Sequence, residues 1–302
     1  MRGTTRGVWI GLGWIALAWL AVPGGGLADE PPRGGKTAGE TRADNGLGME
    51  LVWCPPGMFT MGSPRSEPGR DADEDPVPVT LTRGFWLGQC EVTQDEWFRI
   101  METRPWQGQA WIQEGRRFAA TCVSWHDARQ FADRLSHQER EAKRLPAGWA
   151  YSLPTEAEWE YGCRAGTSTA YACGDSAERL DDYAWHARNT WDCNEKYAHG
   201  VGQKEPNAWG LHDLHGNVDE WCLDRYRKQR LPGVDPLVDL PHLSDRVIRG
   251  GAWCDRASSC RSAYRVSHAP TRRLFHLGFR LVLREVPPAK PELRCESAPP
   301  GA

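Results

Sequence analysis

Residues 201–224 read VGQKEPNAWGLHDLHGNVDEWCLD, a stretch rich in glycine, tryptophan and charged side chains. Asp213 and Glu220 lie at the two ends of a turn that contains Gly216. A carboxylate at each end of such a turn can close around one cation, because backbone carbonyls can complete the set of oxygen ligands. The alternative is a turn of solvated charges, as in most acidic loops. The stretch therefore predicts an irregular, loop-rich region and raises the question of a bound ion.

The composition of the chain excludes several classes of partner. Its 302 residues are 40% hydrophobic, which is enough to bury a substantial core, and its formal net charge is −3. That charge gives no electrostatic reason to expect nucleic acid or anionic lipid as a partner. The sequence contains no G-x-S-x-G, H-E-x-x-H or phosphate-binding glycine loop, so hydrolase and nucleotide-binding functions have no local support.

The N-terminus has the pattern of a secretory signal. Arg2 and Arg6 precede the apolar run VWIGLGWIALAWLAV, and Gly26-Leu27-Ala28 forms a small-x-small cleavage site. We therefore expect residues 1–28 to be a signal peptide, the protein to be exported to the periplasm or the extracellular space, and no membrane contact after cleavage. Thiols outside the cytoplasm tend to form disulfides, so most of the ten cysteines are expected to be structural.

The rest of the chain divides into three parts. Residues 29–46 are rich in proline, glycine and charge without apolar periodicity, which predicts a flexible linker. Residues 286–302 have the same character and predict a disordered tail. Between them, residues 47–285 contain no comparable break and are expected to form one domain.

Local chemistry marks three helices and several strands. Each helix begins with a capping box, in which a Ser or Thr is followed three residues later by an acid: Thr93 with Glu96, Ser124 with Asp127, and Thr155 with Glu158. The sequence MELVWCPPGMFTMGS predicts a hairpin about Pro55-Pro56-Gly57, and RVIRGGAW and LGFRLVL predict strands. The fold class is therefore α+β, with little regular secondary structure and long loops held by aromatic packing.

Eight segments occur in an order that is specific as a set: GMELVWCPPGMFTMGS, EVTQDEWFRIM, VSWHDARQFADRLS, LPTEAEWEYGCRAGT, the opening stretch, RVIRGGAW, CRSAYR and LGFRLVL. Together they resemble the sulfatase-modifying-factor family, whose namesake is the formylglycine-generating enzyme, over nearly all of 47–285. The resemblance implies an irregular α+β fold related to C-type lectins, with calcium ions holding its loops. It also implies that true enzymes of the family use copper(I), held by two cysteines, and oxygen to oxidise a substrate cysteine. Other members bind ligands or have no known activity, so the fold does not decide the function.

The resemblance also implies specific metal ligands. Asp213, Gly216, Val218 and Glu220 match the family's second calcium site, where two side chains and two backbone carbonyls supply oxygen. The first calcium site of the family begins at an asparagine that matches Asn189, but its downstream acidic ligand has no clear counterpart here.

Two cysteines, Cys254 and Cys260, lie in the segment GGAWCDRASSCRSAYR, where the family places its copper pair. Five residues separate them, whereas four separate the family's pair, and a one-residue change rotates one sulfur away from a shared copper(I) ion. Copper is therefore possible but not favoured. The alternatives are a disulfide between the two, or a disulfide from Cys260 to Cys163 or Cys222. If the protein is an oxidase, Cys254 and Cys260 are its candidate catalytic residues.

Four arginines lie in or near this segment: Arg249, Arg261, Arg265 and Arg280. Their guanidinium groups could hold the carboxylate of a ligand or a peptide segment by forked hydrogen bonds, or they could be buried and bridge the protein's own loops. The acidic run RDADEDP at residues 70–76 predicts a solvated surface loop.

Two classes of function follow from these patterns. The first is an exported protein of this family that oxidatively modifies a protein substrate. The second is a non-catalytic, lectin-like module that recognises a peptide, a protein or a glycan with the same C-terminal loop region. An accessory subunit that scaffolds another exported enzyme has the same sequence features as this second class.

Overall fold

The computed structural model describes Met1, Gly3 and residues 34–286. The predicted signal peptide and the predicted tail beyond Val286 lie outside the described residues, apart from Met1 and Gly3. Residues 34–286 belong to one compact unit, which the following description concerns. No helix between residues 34 and 286 combines the length and the apolar character needed to cross a bilayer.

The described residues form four α-helices and twelve short strands. The helices are α1 Gln94–Met101, α2 Trp125–Glu141, α3 Glu156–Arg164 and α4 Leu180–Tyr183. The strands are β1 Thr41–Arg42, β2 Leu51–Cys54, β3 Gly57–Met61, β4 Val77–Leu81, β5 Phe85–Gly88, β6 Trp149–Ser152, β7 Asp219–Arg225, β8 Gly233–Val234, β9 Arg246–Arg249, β10 Val266–His268, β11 Leu277–Gly278 and β12 Val282–Glu285. Long irregular segments connect them, so the expectation of an α+β fold with little regular secondary structure is confirmed.

The strands assemble into three sheets. The largest has the order β1-β2-β5-β12-β6, the second β10-β9-β7-β11, and the third β3-β4-β8. In the second sheet, β11 pairs with β7 in parallel, with Leu277 opposite Asp219. This pairing brings His276, the residue before β11, next to the first residue of β7, and it positions the candidate site described below.

The three predicted helices begin where their capping boxes predict. Thr93, Ser124 and Thr155 each accept a hydrogen bond from the backbone N–H three residues later, and the acid at that position accepts one in return. In α2, the apolar residues Trp125, Ala128, Ala132 and Leu135 lie on one face of the helix and are buried in the larger hydrophobic core. These starts were predictable because a capping box satisfies backbone donors with side chains that are close in sequence.

The hairpin predicted about Pro55-Pro56-Gly57 is wrong. Strand β2 pairs with β5 in the first sheet, whereas β3 pairs with β4 in the third. The burial of the two strands agrees with this separation, since β2 is buried at every position, whereas β3 alternates between partly buried and exposed residues before its buried last residue, Met61. Two consecutive prolines supply no backbone donors and here carry the chain from one sheet to the other.

Two further boundaries differ from the sequence-based expectation. LGFRLVL does not form one strand, because β11 and β12 belong to different sheets and residues 279–281 cross between them. The segment predicted as linker contains β1, which pairs with β2 through Thr41 opposite Val52. Ordered structure therefore begins before residue 47. A two-residue strand leaves no periodicity in the sequence for a prediction to use.

Candidate functional site

The C-terminal loop that contains Cys254 and Cys260 packs against the opening stretch 201–224. The backbone N–H of Trp253 donates to the Asn217 carbonyl at 2.9 Å. The Thr190 hydroxyl donates to the Trp253 carbonyl, and Trp253 itself is fully buried. A short 3₁₀ helix, Ala257–Cys260, then carries the chain away from Cys254.

The two cysteines lie in separate packing environments. Cys260 is buried in a cluster with Tyr171 and Leu180, and its thiol donates to the Arg256 carbonyl at 3.7 Å. Cys254 is partly buried and packs beside Trp253 in a different cluster. All nine cysteines within the described residues are free thiols, and no disulfide joins any two of them.

The proposed partners of Cys260 make other contacts. The Cys163 sulfur lies 3.7 Å from the Leu214 carbonyl and 3.7 Å from Nε2 of His215. Cys222 is fully buried within β7. Burial is therefore sufficient to explain these cysteines as small apolar side chains.

Both candidate thiols are disfavoured as thiolates. Burial, with the nearby carboxylates of Asp255 and Asp219, raises the pKa of Cys254 to about 12. Burial and the same carboxylates raise the pKa of Cys260 well above its ordinary value. Reactive and metal-binding cysteines require the thiolate and usually lie near positive charge, which is the opposite of this setting.

Three ionisable residues form what we call the acidic cluster: Asp219, Asp255 and His276. Nδ1 of His276 lies 3.1 Å from Oδ2 of Asp219, while Oδ1 of Asp219 is buried without a hydrogen-bond partner. Oδ2 of Asp255 accepts from the Ala252 N–H at 3.0 Å. Burial and the charge of Asp219 raise the pKa of Asp255 to about 6. Burial lowers the pKa of His276, but its hydrogen bond to Asp219 and the two carboxylate charges outweigh burial and raise it.

Sequence reasoning did not single out the acidic cluster. Its members are far apart along the chain, and the parallel pairing of β7 with β11 brings Asp219 and His276 together. Local sequence carries no sign of that pairing.

Beside the acidic cluster lies a group of rings that we call the aromatic surface: Trp111, Trp191 and Phe275. The Trp111 ring centroid lies 4.9 Å from that of Phe275 and 6.3 Å from that of Trp191. Trp111 is 47% exposed and Trp191 39% exposed. Buried Trp253 supports both Trp191 and Phe275, at 5.8 Å from each. The sequence holds 16 tryptophans, and nothing in it distinguishes the two that are exposed within residues 34–286 from those that are buried there.

The four arginines of the C-terminal region are buried and bind the protein's own carboxylates. Arg249 binds Glu156 and Glu160, Arg261 binds Glu67 and Glu74, Arg265 binds Glu156, and Arg280 binds Glu220. All four also donate to backbone carbonyls of neighbouring loops. The structural alternative is therefore confirmed for these arginines. The acidic run is not a fully solvated loop, because Glu74 is completely buried against Arg261.

The turn from Asp213 to Glu220 directs its two carboxylates to different partners. Arg280 donates to both oxygens of Glu220, at 2.6 and 2.7 Å, and the Trp159 indole N–H donates at 2.8 Å. Asp213 instead lies beside Glu91, a residue that sequence reasoning did not consider. Each of these two buried acids has one oxygen that no N–H or hydroxyl donor reaches, Oδ1 of Asp213 and Oε2 of Glu91, and the two carboxyl groups lie within hydrogen-bonding reach of each other. Burial raises the pKa of both, and the charge of Asp213 raises that of Glu91 further.

Comparison with known proteins identifies the family. The profile of the "Sulfatase-modifying factor enzyme 1-like domain" matches residues 37–285. The chain belongs to the sulfatase-modifying-factor family. The resemblance read from the ordered sequence segments is thereby confirmed.

Curated and solved members of this family have moderate similarity to the chain. The formylglycine-generating enzyme of Streptomyces coelicolor is 35% identical over 174 residues, which are 52% of this chain and 50% of that protein. The inactive C-alpha-formylglycine-generating enzyme 2 of Bos taurus is 28% identical over 78% of this chain and 88% of its own length. The structure of PvdO from Pseudomonas aeruginosa superposes with a TM-score of 0.72 at 27% identity, and the match covers 83% of this chain and all of that one.

The copper site of the family does not fit this chain. A copper(I) dithiolate needs two sulfurs that face one ion and are readily deprotonated. Here Cys254 and Cys260 pack in different hydrophobic clusters, and burial together with the carboxylates of Asp255 and Asp219 opposes thiolate formation at both.

The calcium site of the family fits in part. Within residues 34–286, no group of three or more His, Cys, Asp or Glu side chains is arranged to hold a metal ion. A family-type site needs fewer side chains, because backbone carbonyls supply the remaining oxygens. Asp213 has a free buried oxygen for such a site, whereas both oxygens of Glu220 are taken by Arg280 and Trp159. At the position matched to the first site, the Asn189 side chain binds the backbone of His186 and Ala184.

Proposed function

We propose that this member of the sulfatase-modifying-factor family is an exported binding protein for a protein or peptide ligand and does not carry out copper-dependent cysteine oxidation. One observation carries the proposal: Cys254 packs beside Trp253 in one hydrophobic cluster, whereas Cys260 is buried in another with Tyr171 and Leu180. A relative described as inactive in Bos taurus, matched over most of both chains, is consistent with a member of this fold that lacks the oxidase chemistry.

The ligand-binding region in this proposal is the C-terminal loop region with the acidic cluster. The four buried arginines anchor this loop to the rest of the protein. Arg249, for example, binds acidic side chains of α3 and also donates to the Ser262 carbonyl in the loop, at 2.5 Å. A loop held at several points by buried ion pairs can present side chains in a fixed arrangement, which limits the entropy lost on binding.

The absence of copper chemistry is tested by competition for copper(I) against a chelator under reducing conditions. We expect the wild-type protein to bind copper(I) no more tightly than the Cys254→Ser and Cys260→Ser variants do. Mass spectrometry of a sulfatase-type peptide incubated with protein, copper and oxygen should show no formylglycine. Tight binding in the wild type that is lost in both variants, together with conversion of the peptide, would overturn the proposal.

We also propose that a structural calcium ion binds between Asp213 and Glu91, with the carbonyls of Gly216 and Val218 as the further ligands implied by the family. Two buried carboxylates with unpartnered oxygens are costly unless a cation or a shared proton compensates them. Oxygen donors of this kind suit calcium, and the role of the ion would be to hold the turn rather than to react.

Calorimetry tests this site. Calcium at a hundredfold excess over its dissociation constant should stabilise the native protein by about 2.7 kcal/mol, and a chelator should remove that gain. The variants Asp213→Asn and Glu91→Gln should lose the response to calcium, whereas Asp192→Asn, at an exposed position, should retain it. A melting temperature that is the same with calcium and with chelator would show that no such site exists.

A further inference from the structure

Strand β3 is an open edge of the third sheet. Within residues 34–286 it has one neighbour, β4, with which it pairs in antiparallel register through Phe59 opposite Val79. Edge strands are usually protected from further pairing by charge, by proline, by a bulge or by their short length. Strand β3 has the sequence GMFTM, without a charged residue or a proline, and its register with β4 contains no shift. It therefore lacks the usual protection.

The backbone groups that face this open edge belong to Met58 and Thr60. On the other side of β4, the Asp235 N–H donates to the Thr80 carbonyl at 2.8 Å, so the backbone of Thr80 faces β8. Because the backbone groups of successive strand residues alternate between the two sides, Met58, which lies opposite Thr80, faces away from β4. Thr60, two residues further on, faces the same way. Within residues 34–286 no other segment pairs with this edge.

The two faces of β3 have different surroundings. Phe59 lies on the covered face, where its ring centroid is 5.2 Å from that of Tyr161 in α3. Met58 and Thr60 lie on the opposite face and are exposed, Met58 to 81%. The register continues this exposed face across β4 to Val234 in β8, which is 65% exposed. A second strand can therefore approach the edge from solvent.

The chain on either side of β3 limits the length of the open edge. The two prolines before β3 supply no backbone donors. After β3, the Gly62 N–H donates to the buried carboxylate of Glu160 at 2.7 Å. The edge thus offers the N–H and C=O groups of Met58 and Thr60, an equal number of donors and acceptors.

A second copy of the same strand complements this edge. In an antiparallel pairing centred on Phe59, Met58 lies opposite Thr60 of the other copy, and each such pair exchanges both N–H···O bonds. Phe59 then faces its counterpart as the pair between them, and opposed aromatic side chains in a sheet attract each other. A two-fold axis also brings each residue near its own copy, so the strand on the axis must be uncharged, as β3 is.

We propose that β3 pairs with β3 of a second copy of this chain, so that the two three-stranded sheets join into one continuous sheet. Few residues take part, so the contact is small and the dimer is weak and concentration-dependent. The pairing uses no residue of the candidate functional site, and it is independent of the proposed function.

Sedimentation velocity of the purified protein tests the pairing, under reducing conditions so that free thiols cannot link two copies. We expect the average mass to rise from that of a monomer towards that of a dimer as the concentration increases from about 1 to about 300 μM. A wild type that stays monomeric throughout this range would overturn the proposal and leave the edge for a strand of another protein.

Two substitutions of Thr60 test the edge itself. Thr60→Lys adds a charge to the edge and should weaken the association about tenfold. Thr60→Pro removes an N–H that the chain itself does not use, and it should weaken the association by a similar factor. Because the Thr60 side chain is exposed, both variants should keep the melting temperature of the wild type. Association that neither substitution weakens would overturn the proposal.

Val234→Lys is the matched control, because it adds the same charge to the same face of the sheet but on β8. It should associate as the wild type does, and a loss equal to that of Thr60→Lys would show that the copies pack through the sheet face instead. An equimolar mixture of Thr60→Lys and Met58→Glu places opposite charges across from each other and should associate more tightly than either variant alone. A mixture that associates no more tightly would contradict the register centred on Phe59.

Discussion

Replacing Glu160 by Gln is expected to lower the free energy of unfolding by about 3–5 kcal/mol. Glu160 is fully buried in α3 and accepts hydrogen bonds from three arginines, Arg164, Arg230 and Arg249, at 2.6 to 2.9 Å. Burial raises the pKa of Glu160, but the three guanidinium groups outweigh it and hold the pKa well below its usual range. A glutamine would leave these buried cations without their shared counter-charge. Urea unfolding followed by circular dichroism measures the loss.

A matched substitution separates burial from charge in this experiment. Glu141 is exposed and pairs with His137 one helical turn away, at 3.2 Å. Glu141→Gln should change the free energy of unfolding by less than about 0.5 kcal/mol. If both variants unfold at the same urea concentration as the wild type, the buried ion pairs of Glu160 with its three arginines do not stabilise the C-terminal loop.

Helix starts were the part of the fold that the sequence predicted well. A capping box such as Thr155 with Glu158 involves two side chains and the backbone between them, so the interaction is complete within four residues. Strand pairing is different, because β2 pairs with β5, which lies some thirty residues further along the chain. The sequence near Pro55 gives no indication of that pairing. The predicted hairpin failed for that reason.

The candidate site likewise combines features that the sequence predicted with features that it did not. Motif order identified the family and the loop that carries Cys254 and Cys260. The acidic cluster and the aromatic surface depend instead on contacts between distant segments, such as Trp111 with Phe275. Glu91 beside Asp213 is another such contact, and neither residue alone indicates the pair. Exposure and unpartnered oxygens are properties of the folded chain, so these features required the structure.

The acidic run at residues 70–76 leads to a second large expected effect, because its Glu74 is buried against an arginine 187 residues away. Arg261 donates to Glu74 at 2.7 Å and to Glu67 at 2.5 Å, and also to the Gly69 carbonyl at 2.8 Å. Arg261→Met would leave two buried carboxylates without a counter-charge. We expect it to cost about 3–5 kcal/mol near neutral pH. Arg256→Met, at an exposed position in the same loop, should cost little.

The pH dependence of that loss identifies its cause. In the wild type, burial raises the pKa of Glu74, but its hydrogen bonds to Arg261 and Ser63 outweigh burial and lower it. Glu74 therefore stabilises the wild type above an unfolded pKa of about 4.3, and this contribution is lost as the pH falls through the folded pKa. In Arg261→Met only the hydrogen bonds from Ser63 and the Asp71 N–H oppose burial. We expect burial to outweigh them and to raise the folded pKa, so the variant loses stability as the pH rises through and above about 4.3. The difference between wild type and variant should thus be larger at pH 7.5 than at pH 5. A difference that does not change with pH would mean that lost packing of the arginine side chain, rather than the unpaired carboxylates, causes the destabilisation.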